Sequence, residues 1–505
     1  MVARVCSVAL LGMDARPVEV EVAFGRGLPD FHVVGLPSTA VREARDRVRS
    51  AIESSGERWP QHKVTASLAP SDLRKDGALL DLPLAVGVLA AAGRVPAERV
   101  SGYVLVGELA LDGRVRPIRG ALPAALAARE QGARGLVVPQ ENAAEASLVP
   151  GVEVVGVAHL VEALAFIEGD LTPSGDHVAG GGRPWAESLL ARSGGPGNDL
   201  TAVRGQGLAR RALEIAAAGS HNILLVGPPG SGKTMLARSL PGILPPLTVE
   251  EALEVTRIWS VAGLLEPGEP MVTLRPFRAP HHHASAAAVI GGGSPARPGE
   301  IALAHRGVLF LDELPLFSRA VLEGLRQPIE DGSVTIARYG GTVRYPSAVC
   351  LVAAANPCLC GRAGERRLAC TCSPARLAAY RSRLSGPLLD RIDLHVEVAR
   401  LTEPELLEMA PSEPSAAVRA RVAAARARRT QRPEPERSER AVLAGLGPPA
   451  RDVLRGALAL DPLSARAMGR ILRVARTIAD LGGSEDVEEL HVAEALQFRR
   501  ILWDA

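Results

Sequence analysis

Ile223-Leu224-Leu225-Val226-Gly227-Pro228-Pro229-Gly230-Ser231-Gly232-Lys233-Thr234 is the stretch that decides the fold. Its first four residues are all apolar, as in a short strand buried on both faces of a parallel sheet. The glycines that follow let backbone N–H groups turn onto phosphate oxygens, and a helix opening at Lys233 adds its N-terminal dipole. Gly227, Pro228, Pro229, Gly230, Ser231, Gly232, Lys233 and Thr234 fill every position of a G-x-x-x-x-G-K-T phosphate-binding loop. Lys233 is also one of only three lysines, with Lys63 and Lys75, among 58 Lys and Arg residues. A chain that otherwise uses Arg keeps a compact ammonium where a flexible point charge must reach between phosphates. The Thr234 hydroxyl is suited to ligate Mg²⁺. The expected cofactors are therefore ATP and Mg²⁺.

Two further strand tips extend this reading. Val308-Leu309-Phe310-Leu311 is a second buried run, ending in Asp312-Glu313. Asp312 at a strand tip beside the loop would hold the Mg²⁺ water shell, and Glu313 would orient and polarise the attacking water. Cys350 to Ala355 is a third run, and Asn356 at its tip would help position that water near the γ-phosphate. Buried strands alternating with helices predict an α/β fold with a parallel sheet.

Composition sets the frame. The 505 residues suggest about three domains. The chain is 47% hydrophobic and 23% charged, with a net charge of +2, which excludes a strongly basic nucleic-acid coat protein. Aromatics are 3%, so stacking platforms for single-stranded bases would be sparse. No apolar run reaches the length of a membrane span. Cys6 to Met13 reads as a first strand rather than a signal core, because Asp14 follows it directly. Six cysteines in so long a chain are not a secreted disulfide framework, so a cytoplasmic protein is expected.

Residues 1–170 read as a mixed α/β domain, with strands at Val18–Val22, Val104–Leu109 and Gly135–Val138. Its helices are expected at Val41–Ser54, Leu82–Ala92 and Leu122–Ala128. Residues 171–198, rich in Gly, Pro and Ser, read as a flexible linker. The ATPase core is expected over 199–400, and a helical domain over 401–505. Within the core, residues 333–349 have the pattern of a β-hairpin turning at Gly340-Gly341, with Arg338, Tyr339 and Arg344 near its tip. Cys358, Cys360, Cys370 and Cys372 form two C-x-C pairs between residues 358 and 372, a candidate tetrahedral Zn²⁺ site, with free or redox-active thiols as the alternative. His281-His282-His283 suggests a metal at first sight, yet sequence neighbours rarely converge on one ion.

With these tips in place the chain resembles the AAA+ ATPases, in their magnesium-chelatase-like branch, and within it the YifB/ComM family. The segments that carry the resemblance include Val203-Arg204-Gly205-Gln206, Phe277-Arg278-Ala279-Pro280-His281-His282, Asn356-Pro357-Cys358 and Ser385-Gly386-Pro387-Leu388-Leu389-Asp390-Arg391-Ile392-Asp393. It implies a homo-hexameric ring with ATP between subunits. Arg391 would be the arginine finger entering a neighbour's site, and Arg466 the sensor arginine on a helical lid, reading the γ-phosphate beside Lys233 of its own chain. The hairpin would point into the ring channel, where Arg338, Tyr339 and Arg344 would grip DNA phosphates. Residues from about Ile258 to Glu300 resemble the second channel insertion of the branch. Residues 1–170 resemble the Lon protease domain, of the ribosomal protein S5 domain 2-like type. An active Lon domain needs a Ser–Lys dyad, but Gly77 to Gly87 holds no Ser and Gly113 to Val138 no Lys. The resemblance thus implies a domain that keeps the fold without cutting peptides.

The implied function is an ATP-driven motor on single-stranded or branched DNA: a helicase or branch-migration enzyme in recombination or natural transformation. The alternatives are a chelatase-type motor driving a partner subunit, an ATP-dependent protease, which the missing dyad disfavours, and a regulatory AAA+ protein without a nucleic-acid role.

Overall fold

The computed structural model describes residues 2–36, 38–73, 75, 77–170, 182–192, 198–266, 268–338, 341–363, 369–384, 386–401, 412–460 and 464–499. The fold is α/β: among the described residues there are two main sheets, of seven and five strands, three two-stranded sheets and a helical C-terminal region. The first sheet has seven strands, in the order Asp30–Val34, Lys63–Ala69, Asp14–Gly25, Val2–Leu11, Tyr103–Leu105, Gly135–Pro139, Glu153–Val157. Asp14–Gly25 runs antiparallel to both its neighbours, whereas Val2–Leu11 and the three strands after it are parallel. Val18, Val20 and Val22 are buried in alternation with partly or fully exposed residues, as a half-buried strand requires. The helix Asp81–Ala91 is buried all round because it lies between the strands Val2–Leu11 and Asp14–Gly25 and the helix Thr39–Ser54.

Two expectations change here. Val104–Leu109 is not one strand: Tyr103–Leu105 stays in the sheet, while Glu108–Leu109 turns away to pair with Val115–Arg116. The chain bends at Gly107, where a Cβ would stand 2.9 Å from Val115 Cγ1 and 3.2 Å from Leu82. The presumed flexible linker carries a helix, Gly182–Arg192. Trp185, Ala186, Leu189 and Leu190 lie at helical spacing and pack on the first core. Residues 171–181 and 193–197 of that stretch lie outside the described residues.

The second sheet has five parallel strands in the order Phe277–Arg278, Val308–Leu311, Cys350–Ala355, Ile223–Val226, Leu394–Glu397. Phe277–Arg278 is thus an edge strand of the core sheet, so the stretch expected as one insertion from Ile258 to Glu300 is partly core. The helix Val249–Ala262, closed by a Thr248/Glu251 capping box, joins the two halves. Its Val249 and Ala252 enter the first core, and Ser260 donates to Glu145.

The hairpin Ser333–Arg338/Gly341–Pro346 forms as expected. Its apolar face, with Val334, Ile336, Val343 and Tyr345, is buried. Val343 presses on the Gly12 turn of the first sheet, where a Cβ would lie 2.1 Å from Val343 Cγ1. Arg344 is not at the tip: it stands opposite Thr335, three ladder steps back, and donates to Ser333 Oγ at 3.0 Å. Arg338 ends its strand, and Tyr339 lies outside the described residues.

Helices Ser415–Gln431, Glu439–Gly445, Pro448–Leu460, Ala465–Gly482 and Glu489–Gln497 form the C-terminal region. Among the described residues, no helix is long and apolar enough to cross a membrane.

Candidate nucleotide site

The strands Ile223–Val226, Val308–Leu311 and Cys350–Ala355 are adjacent and parallel, so their C-terminal tips meet. Each tip delivers one element of the site. Gly227 must come close to the backbone of the next strand, since a Cβ there would stand 2.1 Å from Val398 O. Gly230 and Gly232 have φ of 79° and 93°, a left-handed conformation that side chains resist. Gln206, also left-handed, braces the loop from outside, its amide donating to Ser231 O at 3.3 Å and Ala399 O at 2.6 Å.

Lys233 opens the helix Lys233–Ile243. Its ammonium donates to Gly227 O at 2.7 Å, Pro228 O at 2.9 Å and Asn356 Oδ1 at 3.2 Å. Burial lowers its pKa from the ordinary lysine value, against the opposing pull of Asp312 and Glu313. Thr234 Oγ1 donates to Asp312 Oδ2 at 3.2 Å, so the two expected Mg²⁺ groups are side by side. Ser231 Oγ is buried and has no hydrogen-bond partner among the described residues. A buried hydroxyl left orphaned inside a glycine loop fits a phosphate oxygen, as do the Lys233 ammonium and the helix N-terminus. The residues present therefore suit ATP with Mg²⁺ at Thr234 and Asp312.

Glu313 follows Asp312 with φ of 52°, an uncommon value for a non-glycine residue. The turn is tied by Glu313 N–H donating to Asp312 Oδ1 at 2.9 Å. Glu313 Oε2 lies 3.3 Å from His282 Nδ1. The three histidines also converge, since ring nitrogens of His281, His282 and His283 lie within 4.8 Å of one another. Against the expectation that sequence neighbours rarely converge on one ion, the rings lie together here, with centroids 4.2 Å apart for His281 and His282, because the chain turns sharply. His282 is a site residue that sequence reasoning missed. Its only signal was its place just after an edge strand that ends beside Val308–Leu311.

Arg391 and Arg466 do not join this constellation. Asp393 N donates to Asn222 O at 3.0 Å, and Asn222 Nδ2 to Arg391 O at 3.1 Å. Asn222 precedes the strand whose far end carries Gly227, so Arg391 stands at the opposite end, about 16 Å of extended chain away. Arg391 pairs with Glu330, and its buried Nε has no partner among the described residues. Arg466, exposed, lies in the first turn of Ala465–Gly482. One turn on, Arg470 binds Asp393 at 2.8 Å. The expected pairing of Arg466 with Lys233 in one chain is thereby corrected, because the helix docks at the Arg391 end of the sheet. A cavity of about 430 Å³ opens there, lined by Arg391, Arg470, Arg473, Glu330, Asp393 and His221.

The cysteines converge. Sγ of Cys358 lies 3.3 Å from that of Cys360 and 3.6 Å from that of Cys370, and Cys360 lies 3.6 Å from Cys370. With Cys372 included, all four sulfurs are within 4.8 Å of one another.

Comparison with known proteins agrees with this geometry. Three family profiles match: "Subunit ChlI of Mg-chelatase" over residues 20–142, "Magnesium chelatase, subunit ChlI" over 199–406, and "Magnesium chelatase, subunit ChlI C-terminal" over 412–499. The chain is 44% identical to the uncharacterized protein YifB of Escherichia coli (strain K12), over 98% of this chain and 96% of that one. It is 41% identical to the Competence protein ComM of Haemophilus influenzae (strain ATCC 51907 / DSM 11121 / KW20 / Rd), over 99% and 97%. The chain belongs to the magnesium-chelatase-like YifB/ComM family of AAA+ ATPases. Its likeness to Lon is partial: Lon protease 2 of Bacillus subtilis (strain 168) is 24% identical over 27% of this YifB/ComM-type chain and 26% of its own length.

Within this YifB/ComM-type site, Gln206 and Tyr380 also went unassigned from sequence. Tyr380 donates from its hydroxyl to Asn356 O at 3.2 Å, fixing the strand tip that touches Lys233. Burial pushes this phenol up to about 12, so it remains a donor across the physiological range.

Proposed function

We propose that this protein is a ring-forming ATPase motor that acts on DNA, as a helicase or branch-migration enzyme. The observation that carries the ring is the division of the nucleotide machinery between two ends of one strand. Lys233, Thr234, Asp312, Glu313 and Asn356 lie at one end, and Arg391 with the Arg466 helix at the other. A second copy would bring its Arg391 end against the first copy's phosphate loop, so that Arg391 and Arg466 both act in trans, and a homo-hexamer is the proposed closure. Mg²⁺ held through Thr234 and Asp312 neutralises phosphate charge when bound. The chain's own residues do the rest: Lys233 and the loop amides bind phosphate, Asn356 and Glu313 orient the water, and Glu313 takes its proton.

The DNA reading rests on the hairpin, whose apolar face is buried while Arg344 stands on the other face, and on the relative named Competence protein ComM. The test is ATP turnover with and without single-stranded, forked and four-way-junction DNA, followed by strand displacement. Stimulation by at least one of these is expected. Equal turnover with all of them would leave a chelatase-type motor on a partner subunit, the reading that the three matched family descriptions favour. Arg344→Ala is expected to weaken binding to single-stranded DNA and to reduce the slope of log affinity against log salt by about 0.7, the loss of one phosphate contact. An unchanged slope would remove Arg344 from the DNA surface. Zn²⁺ at the four cysteines is the remaining cofactor of this reading.

A further inference from the structure

We propose that Cys358, Cys360, Cys370 and Cys372 hold one Zn²⁺ and that this metal is a working part of the nucleotide site, setting how tightly the phosphate-binding loop holds ATP. The second half rests on the ATP reading above. Zn–S bonds of about 2.3 Å in a tetrahedron put sulfurs about 3.8 Å apart. The three separations of 3.3, 3.6 and 3.6 Å approach that value, and Cys372 completes the group. A disulfide would instead draw two sulfurs to about 2.05 Å and leave the others apart. Near-equal spacing among three sulfurs marks a common centre. The Ala363 N–H also donates to Cys358 Sγ at 3.3 Å, the outer hydrogen bond that steadies a metal-bound thiolate.

Among its described residues the loop has little else to hold it. Of its four cysteines only Cys358 is buried, and the described residues between the pairs include Gly361 and Arg362 but no buried apolar side chain. A segment whose described residues bring no apolar core of their own would gain folding energy from the metal.

What the loop touches gives the metal its consequence. Gly361, with φ of 75°, packs on the phosphate-binding loop: a Cβ there would stand 2.4 Å from Pro229 Cδ and 2.7 Å from its Cγ. Gly361 N–H donates to Cys358 O at 3.0 Å, which closes the turn against Pro229. Cys358 follows Asn356 by two residues, and Asn356 Oδ1 accepts from the Lys233 ammonium. The far side is anchored too, since the helix Pro374–Arg381 after Cys372 returns through Tyr380 to Asn356 O. The cysteine loop therefore contacts the phosphate-binding loop at Pro229 and is joined through the chain to Asn356 on one side and to the Tyr380 helix on the other, so releasing the metal loosens both ties.

The experiment uses the full chain. Metal analysis of the purified parent is expected to give one zinc per chain, and Cys370→Ser/Cys372→Ser less than about a tenth of that. Titration with a fluorescent ATP analogue is expected to show about tenfold weaker binding for the double variant and for the chelator-stripped parent, restored in the latter by added Zn²⁺. Gly361→Ala keeps all four thiols, so it should retain zinc yet bind the analogue more weakly. Circular dichroism checks that each variant is folded. A parent without zinc overturns the metal assignment. A zinc-free, folded chain that binds the analogue as well as the parent overturns the coupling alone. A zinc-loaded parent that binds no analogue overturns the ATP reading and the coupling with it, while the metal assignment stands.

Discussion

Glu313→Gln is expected to lower ATP turnover by about 10²–10⁴-fold, the usual worth of a general base, while the affinity for ATP changes little. Gln has the same length and can accept from His282 through its amide oxygen, so the contact now made at 3.3 Å can persist. It cannot take a proton from water. Asp312 and Thr234, which are suited to hold the metal, are untouched. Phosphate release measured beside nucleotide titration separates the two effects. Turnover near that of the parent would remove Glu313 from its role. The left-handed backbone at Glu313 supports the assignment, because such a conformation costs about 1–3 kcal/mol and persists where the surroundings enforce it.

The second large effect lies at the other end of the strand. Asp393→Asn is expected to cost about 3–5 kcal/mol of stability, as when one partner of a buried ion network is removed. Asp393 is buried, with Arg470 at 2.8 Å, Arg473 at 3.5 Å, His221 at 3.6 Å and the Asn222 N–H at 3.0 Å. Arg470 and Arg473 come from the C-terminal helices and Asn222 from the core, so this one carboxylate ties the two together. Burial alone would raise its pKa, but His221, Arg470 and Arg473 hold it well below the usual carboxylate range. A folded-state pKa below the unfolded one gives stability that is complete above about pH 4 and fades as pH falls further. Urea unfolding of parent and variant should therefore differ most near neutrality and converge in acid. A constant gap across pH would mean that packing, not charge, accounts for the loss.

The parts of the site that could be read directly were those written in consecutive residues. The loop, the Asp312-Glu313 tip and the cysteine pairs each combine a local conformation with a local chemistry. What could not be read depended on which surface an element meets. The apolar stripe of Ala465–Gly482 shows that one face is buried, but not that the helix docks beside Asp393 and carries Arg466 away from Lys233. His282 reaches Glu313 only because Phe277–Arg278 pairs with Val308–Leu311. The break at Gly107 answers to Val115 and Leu82, and the helix at 182–192 was masked by the glycines that precede it.

The separation of Lys233 from Arg391 gives the chain a polarity. The two ends of the strand Ile223–Val226 are different surfaces, so contact between them is head-to-tail and never self-complementary. On the proposed ring reading, two copies joined in this way would still leave one phosphate loop uncapped and one Arg391 unspent. Each further copy extends the series, which ends only when the rotation per copy brings the last onto the first. At any other angle the same contact grows into an open helical filament.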